Sequence, residues 1–271
     1  MPLRNWRRKR LRAKAFPAAW RALLERRLPY YRCLPESDRR ELEGHTRVLL
    51  AEKYYEGCAG LTLTDEVRVL IAAQAAVLLL HRDTNYYPGV STILVYPAAY
   101  LAQMRAVGPA GIVTEGAAWR AGESWHTPGG RQPVVVSWRD VQAGAADPGD
   151  GSNVVFHEFA HQLDGETGAV DGAPLMGSRE HAEEWARVMW REYHALGADL
   201  RSGRPTLLSP YAATSPAEFF AVLTEVFFER GRELRERHPE AYRLMARYFR
   251  QDPAALACGE TPCRESRAPA A

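Results

Sequence analysis

The chain has 271 residues, of which 46% are hydrophobic, 25% charged and 10% aromatic. This composition is typical of a folded globular protein and excludes disordered, collagen-like and disulfide-scaffold classes. The longest apolar run, residues 69–80, is far shorter than the roughly 20 residues that cross a bilayer, so we expect no membrane span. The Arg-rich start, residues 1–14, lacks the apolar segment and cleavage site of a secretory signal, and the cytoplasm is the expected compartment.

The net charge of +2 conceals a basic N-terminus. Residues 1–40 contain 13 Lys or Arg against 3 Asp or Glu, whereas the remainder contains 22 against 30. Such a segment is either a solvated helix face or a binding element for nucleic acid, an acidic partner or the acidic remainder of its own chain. Because no DNA-binding motif is recognisable, we expect no direct contact with nucleic acid. Four scattered cysteines form no disulfide framework, and we expect reduced thiols.

The first predicted elements are helices. The three-to-four spacing of apolar residues over 17–32 predicts an amphipathic helix, and a second helix is expected over 36–57. Thr64, followed by Asp65 and Glu66, has the pattern of an N-cap with an acidic first turn. The apolar stretch that follows, as far as Leu80, predicts a helix that is buried nearly all round.

Strand patterns are confined to the middle of the chain. Short β-branched segments bounded by Pro and Gly predict the strands of a small sheet at residues 92–96, 111–114 and 133–138. Further along, helices are predicted at residues 153–164, 178–196, 215–231 and 238–250. The predicted fold class is therefore α+β, with a small mid-chain sheet between an N-terminal and a C-terminal helical part.

The chain shows no internal repeat and no Gly/Ser linker that would divide it. We therefore expect a single compact unit over residues 1–253, with an N-terminal helical part over 1–60 and a core over 61–253. The Pro/Ala/Glu-rich residues 254–271, which include Cys258 and Cys263, are expected to form a flexible tail.

One motif carries recognisable chemistry. Residues 153–164 read NVVFHEFAHQLD, in which His157, Glu158 and His161 fit the pattern H-E-x-x-H. A spacing of four places both imidazoles on one helix face, one turn apart, where they can bind one Zn²⁺, and Glu158 beside them can take the proton of a water molecule. The structural alternative is a pair of hydrogen-bonded core histidines. Two bare histidines beside a carboxylate are costly in so apolar a helix unless something satisfies them, and a metal ion would do so. We therefore predict a catalytic zinc site.

A catalytic zinc usually has three protein ligands, so a third must be found. Asp164 and Thr167 occupy the positions where the longer H-E-x-x-H-x-x-G-x-x-H pattern requires Gly and His, so the third ligand comes from further along the chain. Glu218 is preferred because it lies in the otherwise apolar segment 216–228. The remaining candidates are Glu225, Asp171, His181 and His194.

Glu218 also has an explanation that needs no metal. Ser215, Pro216 and Glu218 fit a capping box, with Ser at the N-cap, Pro at the first helical position and Glu at the third. The residues alone leave both interpretations open.

The motifs together resemble the MtfA (Mlc titration factor A) family of bacterial zinc metallopeptidases, whose catalytic domain is similar to that of the lethal factor-type metallopeptidases. The resemblance rests on HEFAHQLDG at 157–165, DGAPL at 171–175 and YAATSPAEFFAVLTEVFF at 211–228. It is supported by LAEKYYEGCAGLTLTDEVRVLIAAQAA at 50–76 and YYPGV at 86–90, and so covers nearly the whole chain.

The resemblance implies a zincin-like metallopeptidase core and assigns site residues. The ligands implied are the two motif histidines, His157 and His161, and Glu218 on a later helix, with Tyr211 near the site. The Tyr211 phenol is then expected to donate to the oxyanion that forms during attack on a peptide carbonyl. Two further roles stay open: Asp164 either orients His161 or ends its helix, and Glu225 either supports the site or pairs with an arginine.

The expected activity is hydrolysis of peptide bonds with Glu158 as general base, and both aminopeptidase and endopeptidase specificity stay open. Strand 133–138 is the candidate sheet edge for an extended peptide. The resemblance also implies binding of a transcriptional repressor of sugar uptake. The alternative function is that of a non-catalytic, zinc-stabilised regulatory protein that acts by binding a transcription factor.

Overall fold

The computed structural model describes the backbone of residues 2–98, 100–107, 113–120, 122–124 and 132–256, and side chains within 3–98 and 133–256. The helices are α1 (Pro2–Ala13), α2 (Ala18–Arg27), α3 (Pro29–Cys33), α4 (Glu36–Glu52), α5 (Asp65–Val77), α6 (Trp138–Ala146), α7 (Val154–Asp164), α8 (Arg179–Arg201), α9 (Pro216–Glu229), α10 (Gly231–Arg237) and α11 (Pro239–Phe249). The strands are β1 (Tyr54–Gly57), β2 (Val90–Tyr96), β3 (Tyr100–Val107), β4 (Val113–Arg120), β5 (Gly122–Ser124) and β6 (Gln132–Ser137). The α+β class predicted from the sequence is confirmed.

The main sheet has the strand order β1-β2-β6-β5. The first three strands are parallel, and β5 runs antiparallel to β6 at the far edge. Strands β3 and β4 form a separate antiparallel pair. The prediction that residues 133–138 form a sheet edge is therefore wrong, because β6 is hydrogen-bonded to β2 on one side and to β5 on the other.

Two predicted helices differ from the structure for identifiable reasons. The segment 17–32 forms two helices, α2 and α3, because Pro29 disfavours a helical conformation at the residue before it. The helix predicted over 36–57 ends at Glu52, since the next residues pair with β2 and form β1. Pairing with β2 therefore determines the conformation of residues 54–57, and the local sequence pattern does not reveal this pairing.

Several sequence predictions fall partly beyond the described residues. Residues 111 and 112 of one predicted strand lie outside them, and β4 begins at Val113. The same holds for residues 257–271 of the predicted tail, whereas Pro253–Ala255 forms a short 3₁₀ turn. The expectation of a single unit stays a prediction.

Cys58 is free but Cys33 is disulfide-bonded, so the expectation of reduced thiols is wrong for Cys33.

Helix α5 lies at the centre of the core. Thr64 caps it as predicted, with its hydroxyl accepting from the Val67 N–H at 3.4 Å, and the helix is buried from Val69 to Val77. It packs against α2, α4, α6 and α7. None of the helices that the structure describes is both long enough and apolar enough to cross a bilayer.

The basic N-terminus binds its own chain through one residue. Arg8 on α1 is 6% exposed and forms a two-pronged ion pair with Glu52 at the end of α4, with donor–acceptor distances of 2.9 and 2.8 Å. Its guanidinium also donates to the side-chain and main-chain oxygens of Asn85 at 3.0 Å, and it lies 4.6 Å from the centre of the Tyr86 ring. Among the sequence alternatives, docking on the acidic remainder of the chain is therefore the one observed for Arg8.

Replacing Arg8 with Ala is expected to lower the free energy of unfolding by about 3 kcal/mol, because it leaves the Glu52 carboxylate buried without its main partner. Arg4 also donates to Glu52 at 3.2 Å, which keeps the loss at the lower end for a buried pair. Arg7→Ala, an exposed position on the same helix, is the matched control and should change stability by less than about 0.5 kcal/mol. Equal losses of stability for Arg8→Ala and Arg7→Ala in denaturant unfolding would contradict the stabilising role of the Arg8–Glu52 ion pair.

This ion pair also has a pH signature. Burial opposes ionisation of Glu52, but the hydrogen bond from Arg8 outweighs it and lowers the Glu52 pKa. A carboxylate whose pKa is lowered by folding stabilises the protein above its unfolded pKa, and this stabilisation is lost as pH falls through the folded pKa. The difference in the free energy of unfolding between wild type and Arg8→Ala should therefore become smaller as pH falls through the Glu52 pKa of the folded protein.

Candidate metal centre

Helix α7 carries the H-E-x-x-H residues and begins at a strong cap. The Asn153 side-chain oxygen accepts from the N–H groups of Val155 and Phe156, both at 3.1 Å. The helix packs against α9 on one side and against β5 and β6 on the other. Glu158 is 3% exposed and His161 7% exposed, so the motif side chains are held in a largely dry environment.

Glu218 is supplied by the first turn of α9. Ser215 caps that helix, with its hydroxyl accepting from the Glu218 N–H at 3.2 Å, as the capping interpretation predicts. The Glu218 side chain, however, reaches the two histidines: its Oε2 lies 2.9 Å from His157 Nε2 and 3.3 Å from His161 Nε2. The cap therefore orients the start of α9, and the carboxylate is directed at α7.

The three side chains can hold a metal ion. One ligand atom from each of His157, His161 and Glu218 lies within 4.8 Å of the others, and no other such group is found among the residues with described positions. A tetrahedral ion at about 2.0–2.1 Å from each ligand requires ligand atoms about 3.3 Å apart, close to the distances from Glu218 to both histidines. Two imidazoles and one carboxylate are a donor set that suits Zn²⁺ and leaves a fourth position open.

The electrostatics of the centre favour a cation. Burial opposes a charge on His157, but its hydrogen bonds to Glu218 and Glu225 outweigh burial and raise its pKa to about 10. Burial likewise opposes ionisation of Glu218, yet the hydrogen bonds from His157 and His161 hold its pKa well below its usual range. A metal ion that binds here must displace the proton of His157, so metal binding and proton release are coupled.

Glu225, one of the sequence candidates for the third ligand, supports the centre from behind. Its Oε1 lies 2.8 Å from His157 Nδ1, and its Oε2 accepts from the Asn153 N–H at 2.6 Å. A carboxylate on the second nitrogen fixes the orientation of a metal-binding imidazole and leaves Nε2 facing the ion. The sequence left open a pair with an arginine, but Glu225 is bonded to His157 instead.

Sequence analysis missed two residues behind Glu225. The Asn153 amide nitrogen lies 2.9 Å from Gln74 Oε1 and 3.1 Å from Glu229 Oε1, which links α7 to α5 and to the end of α9. Both residues have visible signals: Gln74 interrupts the apolar run of α5, and Asn153 stands at the N-cap position before the motif. Buried polar residues in apolar segments require partners, and here the partners lead to the metal centre.

Tyr211 lies beside the centre on a 3₁₀ turn, Pro210–Ala213. Its ring centre is 5.9 Å from that of His157, and the residue is 53% exposed. The turn is fixed from behind, since Tyr193 donates to the Ala213 carbonyl at 3.1 Å and Thr214 donates to the Tyr211 carbonyl at 2.8 Å. The phenol therefore projects from a restrained backbone next to the first histidine.

Asp164, at the end of α7, ties the centre to the next loop. It is fully buried, and burial raises its pKa to about 6. Its Oδ2 accepts from the Gly172 N–H at 2.8 Å, and the Gly172 carbonyl accepts from Trp185 Nε1 at 2.9 Å. Asp164 is the last residue of α7, which is one of the two roles left open, and it also anchors the 171–175 loop.

The remaining candidate ligands lie elsewhere. Asp171 accepts from the Ala173 N–H at 3.2 Å within its own loop. His194 packs its ring against Trp190 on α8, at 4.2 Å between ring centres. His181 lines a separate cavity. Of the candidate ligands named from the sequence, Glu218 alone joins the two motif histidines.

Comparisons with known proteins agree with this geometry. The family model of the glucose-regulated metallo-peptidase M90 matches residues 3–250. An uncharacterized protein, slr2042, of Synechocystis sp. is 42% identical over 251 residues, which span 92% of this chain and 90% of the relative. Mlc titration factor A of Pectobacterium atrosepticum is 30% identical over 245 residues, 87% of each chain. Mlc titration factor A of Yersinia pestis is 30% identical over 246 residues, 88% of this chain and 86% of the relative.

These matches extend over both the metal-centre helices and the N-terminal helices. The family model and the relatives agree with the resemblance inferred from the motifs. The chain therefore belongs to the glucose-regulated metallo-peptidase M90 family, the family of Mlc titration factor A.

Proposed function

We propose that the protein is a zinc-dependent peptidase in which His157, His161 and Glu218 hold the ion. The single observation that carries this proposal is the convergence of two imidazole nitrogens and one carboxylate oxygen within 4.8 Å, on helices more than 50 residues apart in sequence. Two imidazoles and a carboxylate that converge beside a buried glutamate are the donor set of a catalytic zinc site. Membership of a metallopeptidase family supports the same conclusion.

Each residue of the metal centre has a separate role in the proposed reaction. A zinc ion held by His157, His161 and Glu218 would act as a Lewis acid, lowering the pKa of water and polarising the scissile carbonyl. Glu158 takes the proton of the attacking water and passes it to the leaving amine. Tyr211 donates a hydrogen bond to the oxyanion of the substrate, and Glu225 holds His157 in the required orientation.

The sheet edge next to α7 is the proposed site for the peptide. Strand β5 lies at the end of the sheet, pairs with β6 alone among the described strands, and contacts α7. Its free edge can pair with an extended substrate through main-chain hydrogen bonds. We place the substrate there instead of at residues 133–138, which lie inside the sheet.

The proposal is tested by metal analysis and hydrolysis assays on the same samples. Purified wild type should contain about one zinc per chain and should hydrolyse members of a small peptide library. Chelation should abolish hydrolysis, and added zinc should restore it. Glu218→Ala should lose most of its zinc, whereas Glu233→Ala, at a partly exposed position on α10, should keep it. A metal-free and inactive wild type would overturn the enzyme assignment, and full zinc in Glu218→Ala would move the third ligand elsewhere.

Replacing Glu225 with Gln is expected to weaken zinc binding by about 10–100-fold while the protein stays folded. The amide preserves the size of the side chain. It carries no charge and has one oxygen instead of two, so it cannot replace both carboxylate oxygens that bond to His157 and to the Asn153 N–H. Competition with a zinc chelator measures the affinity. Glu192→Gln, whose carboxylate bonds to His238 away from the centre, is the control. Unchanged affinity would show that Glu225 does not position His157.

A second candidate function is partner binding. Two of the relatives carry the name Mlc titration factor A, and the resemblance implies a transcriptional repressor of sugar uptake as the partner. We propose such binding as an activity that accompanies hydrolysis or replaces it. In a pull-down with the host's repressor, Glu158→Gln should retain the partner, because binding needs no proton transfer. Failure of wild type to bind would remove this candidate and leave the peptidase proposal intact.

A further inference from the structure

A cavity of about 480 Å³ lies outside the metal centre. It is formed where the loop after α5, the 3₁₀ turn after α7, and helices α8 and α11 meet. Its lining includes Arg82, Glu166, Leu175, Trp185, Leu244 and Tyr248, and none of the metal-centre residues. The volume is in the range of sites for small organic ligands.

Arg82 is a cation on this wall that forms no close ion pair with a described residue. Its guanidinium carbon lies 4.1 Å from the centre of the Tyr248 ring. Arg82 Nη1 and Tyr248 Oη are both shielded from solvent and interact with each other, and neither hydrogen-bonds to a third residue within the described ranges. Asp83 and Glu166 also line the cavity, and neither lies within ion-pair distance of Arg82 in the part of the chain described, although Arg82 acts on the Glu166 carboxyl through its charge.

The other arginines of the cavity are already engaged. Arg247 pairs with Glu184 at 3.3 Å, and Arg250 donates to the His81 carbonyl at 3.2 Å. Burial raises the pKa of Glu166, and the charge of Arg82 opposes this rise. Arg82 Nη1 and the Tyr248 hydroxyl are shielded donors without a partner on a third described residue, and both can donate to one acceptor group.

Part of the wall is apolar. Trp185 is 2% and Leu244 4% exposed, while Leu175 is 60% exposed at the rim. An occupant that satisfies both Arg82 and this apolar part needs an anionic acceptor and an apolar body. A carboxylate matches the planar fork of a guanidinium, and its single charge suits a wall with one uncompensated arginine.

We propose that this cavity binds a small carboxylate with an apolar side chain, the chemistry of a C-terminal peptide residue. The carboxylate lies at Arg82 and Tyr248, and the apolar part packs on Trp185 and Leu244. The site is separate from the metal centre, so the inference does not depend on the proposed peptidase activity.

Calorimetric titration of the purified protein with two matched probes tests the proposal. N-acetyl-leucine should bind, and N-acetyl-leucinamide, which lacks only the carboxylate, should bind about tenfold more weakly or worse. Arg82→Gln should reduce the affinity for the acid by a similar factor, whereas Arg179→Gln, at a fully exposed position on α8, should not change it. Inorganic phosphate should compete poorly, because it cannot use the apolar wall.

A second variant keeps the test valid if Arg82→Gln fails to fold. Leu175→Glu adds a negative charge at an exposed point of the rim and should weaken binding of the acid, while Leu175→Gln should not. Glu218→Ala should bind the acid like wild type. Absence of binding, equal affinity for acid and amide, tighter binding of phosphate, or loss of binding in Glu218→Ala would each overturn the proposal.

Discussion

Replacing Glu158 with Gln is expected to lower peptide turnover by about 10²–10⁴-fold while the zinc content stays that of wild type. Gln is nearly the same size as Glu, so the buried side chain keeps its packing at 3% exposure. It cannot take a proton from the attacking water. The lost step is therefore proton transfer, and metal binding by His157, His161 and Glu218 is retained.

The measurement combines zinc analysis with kcat and KM for the best peptide of the library. Glu183→Gln, at an exposed position on α8, is the control and should retain full turnover. Turnover of Glu158→Gln within tenfold of wild type, with full zinc, would exclude Glu158 as the general base. Loss of zinc together with turnover would instead assign it a role in metal binding.

Gly172→Ala is expected to lower the free energy of unfolding by about 2–5 kcal/mol. Gly172 has φ of +80°, which costs a side-chain-bearing residue about 1–2 kcal/mol. A Cβ there would also lie 2.3 Å from the Pro216 carbonyl oxygen, and relieving such an overlap costs about 1–3 kcal/mol more. The loop cannot easily shift, because Asp164 and Trp185 bond to Gly172 on its two sides.

Gly168 provides a matched control for this prediction. It has φ of +91°, but a Cβ there would meet nothing within 4 Å. Gly168→Ala should therefore lose only the backbone contribution of about 1–2 kcal/mol in denaturant unfolding. Equal losses for the two variants would show that the contact with Pro216 is unimportant. Because Pro216 begins the helix that carries Glu218, Gly172→Ala should also bind zinc more weakly.

Much of the candidate site could be predicted from the sequence. The geometry of His157 and His161 follows from the helical repeat, which places residues four apart on one face wherever the helix lies. Glu218 was preferred as a carboxylate in an apolar helix, and the family resemblance supported it over Glu225, Asp171, His181 and His194. The structure brings it to the two histidines, and its role as a ligand stays a prediction until metal content is measured.

Other features could not be read from local patterns. The partners of Glu225, residues 153 and 157, lie about 70 positions away in the chain, and nothing in the spacing relates them. The same holds for β6, whose residues resemble any buried strand, so that its place inside the sheet depended on pairing with both β2 and β5. Segment 36–57 shows the same effect, because pairing with β2 changed its end from helix to strand.

By itself the sequence determined most of the helices, the α+β class and the motif on α7, because these depend on short-range spacing and on burial of apolar residues. Only the tertiary structure decided which distant groups meet. It joined Glu218 to the two histidines, Glu225 to His157, and Arg8 to Glu52. The physical reason is that charged and polar side chains can bond to many partners, and the packing of helices from distant segments selects which ones come within hydrogen-bond distance.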